Sequence, residues 1–139
     1  MFFAKLTPSK GFLTVPIPLR IREFEVFRGF LTVEEQRALV ENLRQVAKVA
    51  PFVAPRMGSG KPMSVRTTSA GKVGWTTDRR GYRYERRHPN GVEWPEIPKP
   101  ILSIWNELSG VTRKPDSCLI NFYGEGARMG MHQDKDEGN

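Results

Sequence analysis

Two segments near the carboxyl end of this 139-residue chain constrain its fold most. They are Ser117-Cys118-Leu119-Ile120-Asn121-Phe122-Tyr123 and Met131-His132-Gln133-Asp134-Lys135-Asp136-Glu137, separated by the turn residues Gly124-Glu125-Gly126. Both read as strands. Residues two apart in an extended chain point to one face, so Asn121 accompanies Tyr123, and His132 accompanies Asp134.

The preceding sequence reads mainly as helix and loop. Thr32 followed by Glu35 is a capping-box pattern. The helix it opens carries Leu39, Leu43, Val46 and Ala50 at helical spacing and stops at Pro51. A second helix is predicted from Lys99 to Leu108, with Ile101, Leu102, Trp105 and Leu108 inward and Gly110 just past its end. Residues 1–28 read as irregular segments and short strands, of which Glu23–Phe27 alternates. Residues 52–62 form a loop by composition, and Met63–Thr68 is strand-like. Gly71 and Gly74 lead into Trp75-Thr76-Thr77, and a polar, basic stretch then runs to a turn near Pro89-Asn90-Gly91. Helices come first and strands gather late, an α+β order in a single domain without repeats.

Composition excludes several classes. Apolar residues make up 38% of the chain, enough to argue against wholesale disorder. No run of 18 apolar residues offers a membrane span, so no membrane partner is expected. A single cysteine, Cys118, excludes an internal disulfide and suits the reducing cytoplasm. A net charge of +7 favours polyanionic partners without bearing on the fold.

Two constellations could carry chemistry. An imidazole and a carboxylate side by side, His132 with Asp134, supply two thirds of the 2-His-1-carboxylate ligand set of non-haem Fe(II). The ordinary alternative is an exposed polar strand end. Asn121 and Tyr123 could orient a small dicarboxylate cosubstrate beside such a metal; equally, Tyr123 could be a half-buried core tyrosine and Asn121 an edge residue. The second constellation spans Arg66 to Asn90. Here Arg66, Lys72, Arg79, Arg80, Arg83, Arg86 and Arg87 outnumber Asp78 and Glu85, with Trp75, Tyr82 and Tyr84 interleaved. Cations neutralise phosphates and aromatic faces stack on bases, so the mixture suits a nucleic-acid surface. A solvated loop whose aromatics pack inward would have the same composition. His88, the only other histidine, reads as an exposed loop residue and is not assigned to metal.

At this point the chain resembles the AlkB family of Fe(II)- and 2-oxoglutarate-dependent dioxygenases. The resemblance rests on Pro62-Met63-Ser64-Val65, Gly74-Trp75-Thr76-Thr77, Gly81-Tyr82-Arg83-Tyr84, Trp94-Pro95, Pro115–Tyr123 and Met131–Glu137, in that order. It implies amino-terminal helices and a nucleotide-recognition lid, at about residues 62–90, leading into a double-stranded β-helix (jelly roll) that starts within residues 117–139. It implies His132 and Asp134 as iron ligands, and Asn121, Phe122 and Tyr123 as the 2-oxoglutarate contacts. Met63, Trp75, Tyr82, Arg83, Tyr84 and Asp136 would meet the substrate, with Asp136 reaching the damaged base.

The activity so implied is oxidative demethylation of N-alkylated bases in single- or double-stranded DNA, with RNA as a further substrate, by a monomeric enzyme using Fe(II) and 2-oxoglutarate. The family's second histidine ligand and its cosubstrate arginines lie further downstream and would fall beyond Asn139. The jelly roll is therefore expected to be incomplete and the chain, taken alone, inactive. A non-catalytic basic nucleic-acid-binding module is the alternative from another class. A third reading moves the same demethylation to tRNA or protein.

Overall fold

The computed structural model describes residues 17–130. The chain divides into two compact units, Met1–Gln45 with Pro98–Lys114, and Val46–Ile97 with Pro115–Asn139.

In the first unit, β1 (Leu19–Ile21) and β2 (Phe24–Val26) pair antiparallel, with Leu19 opposite Val26 and Ile21 opposite Phe24. Arg22 makes the turn at φ 55°, in the left-handed region. The apolar side chains share one face, and the other carries an ion pair between Arg20 and Glu25 at 2.8 Å. The alternation read over Glu23–Phe27 is thus real, though the strand is shorter.

Helix α1 (Val33–Val49) begins at the capping box that the sequence announces. The Thr32 amide donates to Glu35 Oε2 at 2.8 Å, and the Glu35 amide donates to Thr32 Oγ1 at 3.1 Å. Two amides that a helix start leaves without partners are thereby satisfied. Val46 and Ala50 are buried, and the Ala50 amide bonds the Val46 carbonyl before Pro51 ends the helix.

Helix α2 (Lys99–Leu108) has the expected bounds. The Ser109 amide bonds the Trp105 carbonyl, and Gly110 follows at φ 66°, where a side chain would be strained. Trp105 Nε1 donates to the Arg113 carbonyl at 3.0 Å. Among the described residues, no helix is long and apolar enough to cross a membrane.

The second unit is built on two antiparallel pairs. Strand β3 (Arg66–Gly71) pairs with β6 (Ser117–Phe122), and β4 (Gly74–Asp78) pairs with β5 (Gly81–Glu85). Thr67, Thr68, Ser69 and Ala70 are all buried, so β3 is covered on both faces. Its polar side chains are satisfied locally: Thr68 Oγ1 donates to the Ala50 carbonyl at 2.7 Å, and Ser69 Oγ accepts the Trp75 amide at 3.2 Å. Val53 and Thr67 exchange backbone hydrogen bonds on the other side of β3.

Three expectations change here. The strand expected at Met63–Thr68 lies later, because pairing with β6 sets its register from Arg66 opposite Phe122 to Gly71 opposite Ser117. A β-carbon on Gly71, at φ 123°, would stand 2.4 Å from the Asp116 carbonyl oxygen, so this strand end needs glycine. The strands also do not gather late: the order is β1-β2-α1-β3-β4-β5-α2-β6. Finally, β6 ends at Phe122, leaving Tyr123 just outside it.

Candidate functional site

The β4–β5 hairpin gathers most of the residues read as substrate contacts. Its two strands meet at a tight turn where Asp78 faces Gly81, and Gly81 takes φ 94°. In this register Trp75 lies opposite Tyr84 and Thr77 opposite Tyr82. Directly paired residues share a face, so Trp75, Tyr82 and Tyr84 stand on one side of the hairpin. Tyr82 and Tyr84 are exposed, at 46% and 41%, and Trp75 is half-buried. Such a face offers aromatic planes to a planar ligand.

Arg83 belongs to the opposite face, with Thr76, Asp78 and Glu85. Its guanidinium bonds Asp78 Oδ2 at 3.0 Å and also Glu85 Oε1. Arg80 adds a backbone and a side-chain bond to the Asp78 carboxylate. The Arg83 hydrogen bond, helped by those from Arg80, holds the Asp78 carboxyl far below the usual carboxylate range. Asp78 and Glu85 in turn push the Arg83 pKa up. Arg83, Asp78 and Glu85 border a cleft of about 450 Å³ that Val53, Pro55, Thr68, Trp94 and also Trp75 and Thr77 line.

A pH dependence follows. Because the folded pKa of Asp78 is depressed, its contribution is fully present above the unfolded carboxylate value of about 3.9 and is lost as pH falls below it. Asp78 is therefore expected to stay ionised at pH 3, read from its carboxyl ¹³C shift. Titration with an ordinary midpoint near 4 would mean that the Arg83 contact is not kept in solution.

At its base the hairpin is gripped by Trp94, which is 7% exposed. A β-carbon on Gly74 would lie 2.2 Å from Trp94 Cε2, so the indole occupies the space a side chain would need. Trp94 Nε1 donates to the Glu85 carbonyl at 2.8 Å, and Glu85 is the residue paired with Gly74. His88 stands edge-on to Trp94, with ring centroids 5.1 Å apart. It is buried, correcting the expectation of an exposed loop histidine. Its Nδ1 accepts the Asn90 amide at 3.1 Å, leaving Nε2 to donate to the Pro51 carbonyl at 2.9 Å. Both ring nitrogens are engaged by the main chain.

The remaining candidates are spread more widely. Asn121 is exposed on β6, opposite Thr67. Phe122 packs its ring on Phe52 at 5.6 Å between centroids, and Tyr123 Oη donates to Met129 Sδ at 3.6 Å. Met63 is half-buried, its amide bonded to the Pro55 carbonyl. Next to it, Ser64 Oγ donates to the Arg128 carbonyl and accepts the Arg128 amide, tying the two distant segments together. His132, Asp134 and Asp136 lie outside the described residues. Among the described residues, no three histidine, cysteine or acidic side chains converge as a metal cage.

Much of the basic stretch is internally neutralised. Arg80 and Arg83 pair with Asp78, Arg83 also with Glu85, Arg87 with Glu93, and Lys72 with Asp116. Among the described residues of this stretch, Arg66, Arg79 and Arg86 are exposed and make no carboxylate pair.

The sequence of residues 23–139 matches the model of the 2OG-Fe(II) oxygenase superfamily. The chain belongs to that superfamily. Members of this superfamily have a jelly-roll fold and use Fe(II) and 2-oxoglutarate; the described residues of this chain form two helices and three two-stranded sheets. Its AlkB-named relatives cover most of the chain. It is 47% identical over 131 residues to an "Alpha-ketoglutarate-dependent dioxygenase AlkB homolog" of Caulobacter vibrioides, an alignment covering 93% of this chain and 60% of the relative. It is 39% identical over 106 residues to "Alpha-ketoglutarate-dependent dioxygenase AlkB" of Salmonella typhimurium, covering 73% and 49% of the two chains. With the Escherichia coli protein of the same name it shares 36% identity over 104 residues, covering 71% and 48%. The chain thus spans about half to 60% of the length of these curated relatives.

Sequence reasoning gave His88 no role and left Trp94 as half of a Trp-Pro match. No local signal marks either, since their importance comes from Pro51, Gly74 and Glu85, which only the fold brings to them.

Proposed function

We infer that the protein is an AlkB-type dioxygenase that removes methyl groups from ring nitrogens of damaged bases, of the 1-methyladenine and 3-methylcytosine kind, in DNA and secondarily in RNA. One observation carries the substrate class: a chain of this superfamily presents Trp75, Tyr84 and Tyr82 on one face of a hairpin. A base must leave the stack to be modified, and a lesion that cannot pair costs less to extrude. An aromatic face then replaces the lost stacking, and the exposed Arg66, Arg79 and Arg86 suit backbone phosphates.

In this reading residues 62–90 form the recognition lid of a single dioxygenase domain, and residues 117–139 begin its jelly roll. His132 and Asp134 hold the metal, and Asn121, Phe122 and Tyr123 contact the cosubstrate. Met63, Trp75, Tyr82, Arg83 and Tyr84 serve the nucleotide, Arg83 by bracing the hairpin from its other face. Asp136 meets the exocyclic amine or the positive charge of the damaged base. Bound Fe(II) and 2-oxoglutarate would supply O2-dependent hydroxylation of the N-methyl carbon, one oxygen atom going to that carbon and the other to succinate as CO2 is lost; the hydroxymethyl group would then leave as formaldehyde and restore the base. The protein's part is to flip, stack and orient the nucleotide. It acts as a monomer in the cytoplasm.

Trp75→Ala tests the substrate assignment. Base–aromatic stacking is worth about 1–3 kcal/mol, so affinity for a methylated oligonucleotide should fall by about 5- to 150-fold. In the complete protein, decarboxylation of 2-oxoglutarate without substrate should survive. If affinity is unchanged, Trp75 is a packing residue and the lid assignment fails.

A further inference from the structure

We propose that His88 is a positioning residue for the aromatic hairpin. It acts as a latch that joins the end of α1 to the base of β4–β5 through Trp94. The proposal rests on the nucleotide-binding reading for its consequence, but its geometry is independent of that reading.

Isolated two-stranded hairpins are marginally stable, so the orientation of Trp75, Tyr82 and Tyr84 depends on what holds the base of theirs. Trp94 engages both strands there: its ring fills the space over Gly74, and its N–H bonds the Glu85 carbonyl at 2.8 Å. Trp94 is itself braced by the edge-on His88 ring, at 5.1 Å.

The two bonds of that ring do different work. The Asn90 amide bonded to Nδ1 is two residues away, inside the turn that the Gly91 amide closes on the His88 carbonyl. The Pro51 carbonyl bonded to Nε2 is 37 residues away, directly after the helix. Only the second bond joins separate elements, so only it can transmit position to the hairpin. The imidazole is well suited because a single neutral tautomer accepts on one side and donates on the other.

Two substitutions separate these bonds. In H88Q the side-chain amide can reach the Pro51 carbonyl, whereas H88N keeps an acceptor near the Asn90 amide and loses Pro51. Hydrogen exchange of the β4–β5 amides should quicken about tenfold in H88N, the loss of about one hydrogen bond, and stay within about twofold of wild type in H88Q. Affinity for a fluorescein-labelled single-stranded oligodeoxynucleotide carrying one 1-methyladenine should follow the same order. It is measured at a temperature where circular dichroism shows every variant fully folded, so a role in overall stability alone would leave it unmoved.

In a Trp75→Ala background, H88N should cause little further loss, because the face it positions has lost its main plane. Equal exchange in H88N, H88Q and wild type would overturn the latch, as would full additivity with Trp75→Ala. Should H88N fail to fold, the wild-type protein decides: the His88 Nε2 proton bonded to the Pro51 carbonyl should exchange together with the β4–β5 amides, and exchange of that proton far faster than theirs would overturn the latch. If the wild-type protein ignores the probe, the substrate reading falls, while hairpin exchange still decides for or against the latch.

Discussion

Replacing Gly74 with alanine is expected to destabilise the protein by about 3 kcal/mol, the upper end of what overpacking a well-filled interior costs. The added methyl would sit 2.2 Å from Trp94 Cε2 and 2.3 Å from Cζ2. The neighbour is no flexible chain end. Trp94 is buried, bonded to the Glu85 carbonyl and flanked by His88, so it has little room to yield. Backbone strain is not the reason: Gly74 is absent from the glycines at positive φ. Denaturant unfolding should show the loss as a lowered midpoint with an unchanged slope. The cause is separable because the clash needs both partners. Trp94→Leu is costly alone, about 3 kcal/mol or more for a large buried aromatic, yet combined with Gly74→Ala it should cost about 1–2 kcal/mol less than the sum. Strict additivity would mean that the two residues do not meet as described.

This pair also shows what the sequence made legible. Gly74 and Trp94 fall in separate matching stretches, Gly74-Trp75-Thr76-Thr77 and Trp94-Pro95, and the structure joins them as two sides of one contact. Features fixed by neighbouring residues were readable in advance. The capping box at Thr32 and Glu35, the end of α1 before Pro51, the bounds of α2 and the turn at Pro89-Asn90-Gly91 all depend on a few adjacent side chains. Features fixed at a distance were not. Ser69, Ala70 and Gly71 have little preference for strands, and they extend β3 only because Leu119, Cys118 and Ser117 pair with them. The stretch after Trp75-Thr76-Thr77 read only as polar and basic, and it took the β4–β5 pairing to place Trp75, Tyr82 and Tyr84 on one face and turn Arg83 toward Asp78 and Glu85. His88 was misjudged for the same reason: its burial depends on the Pro51 carbonyl and the Trp94 ring, neither of them sequence neighbours.

The carboxylate of the ligand pair should be as indispensable as any side chain in the molecule. In the proposed site Asp134 is the one anionic protein ligand, and Fe(II) in such a set relies on it to offset charge and to complete a facial arrangement with histidine. In the complete protein, Asp134→Ala is therefore expected to abolish 2-oxoglutarate turnover. Losing an outer-shell partner costs about 10- to 100-fold in metal affinity or activity, and losing a ligand outright should exceed that. Activity alone would not separate a lost ligand from a lost fold, so metal binding is measured too: isothermal titration with Fe(II) under anaerobic conditions, beside unfolding of the metal-free protein. Asp134→Ala should remove the binding heat and change metal-free stability by no more than about 0.5 kcal/mol, which tells a lost ligand from a lost fold. Oligonucleotide affinity should persist, since Trp75, Tyr82 and Tyr84 are placed by the β4–β5 register and by the grip of Trp94. Lost nucleic-acid binding with retained iron would reverse the assignment and make Asp134 a substrate residue. Retained turnover would remove it from the site, and with it the reading of His132 and Asp134 as a ligand pair.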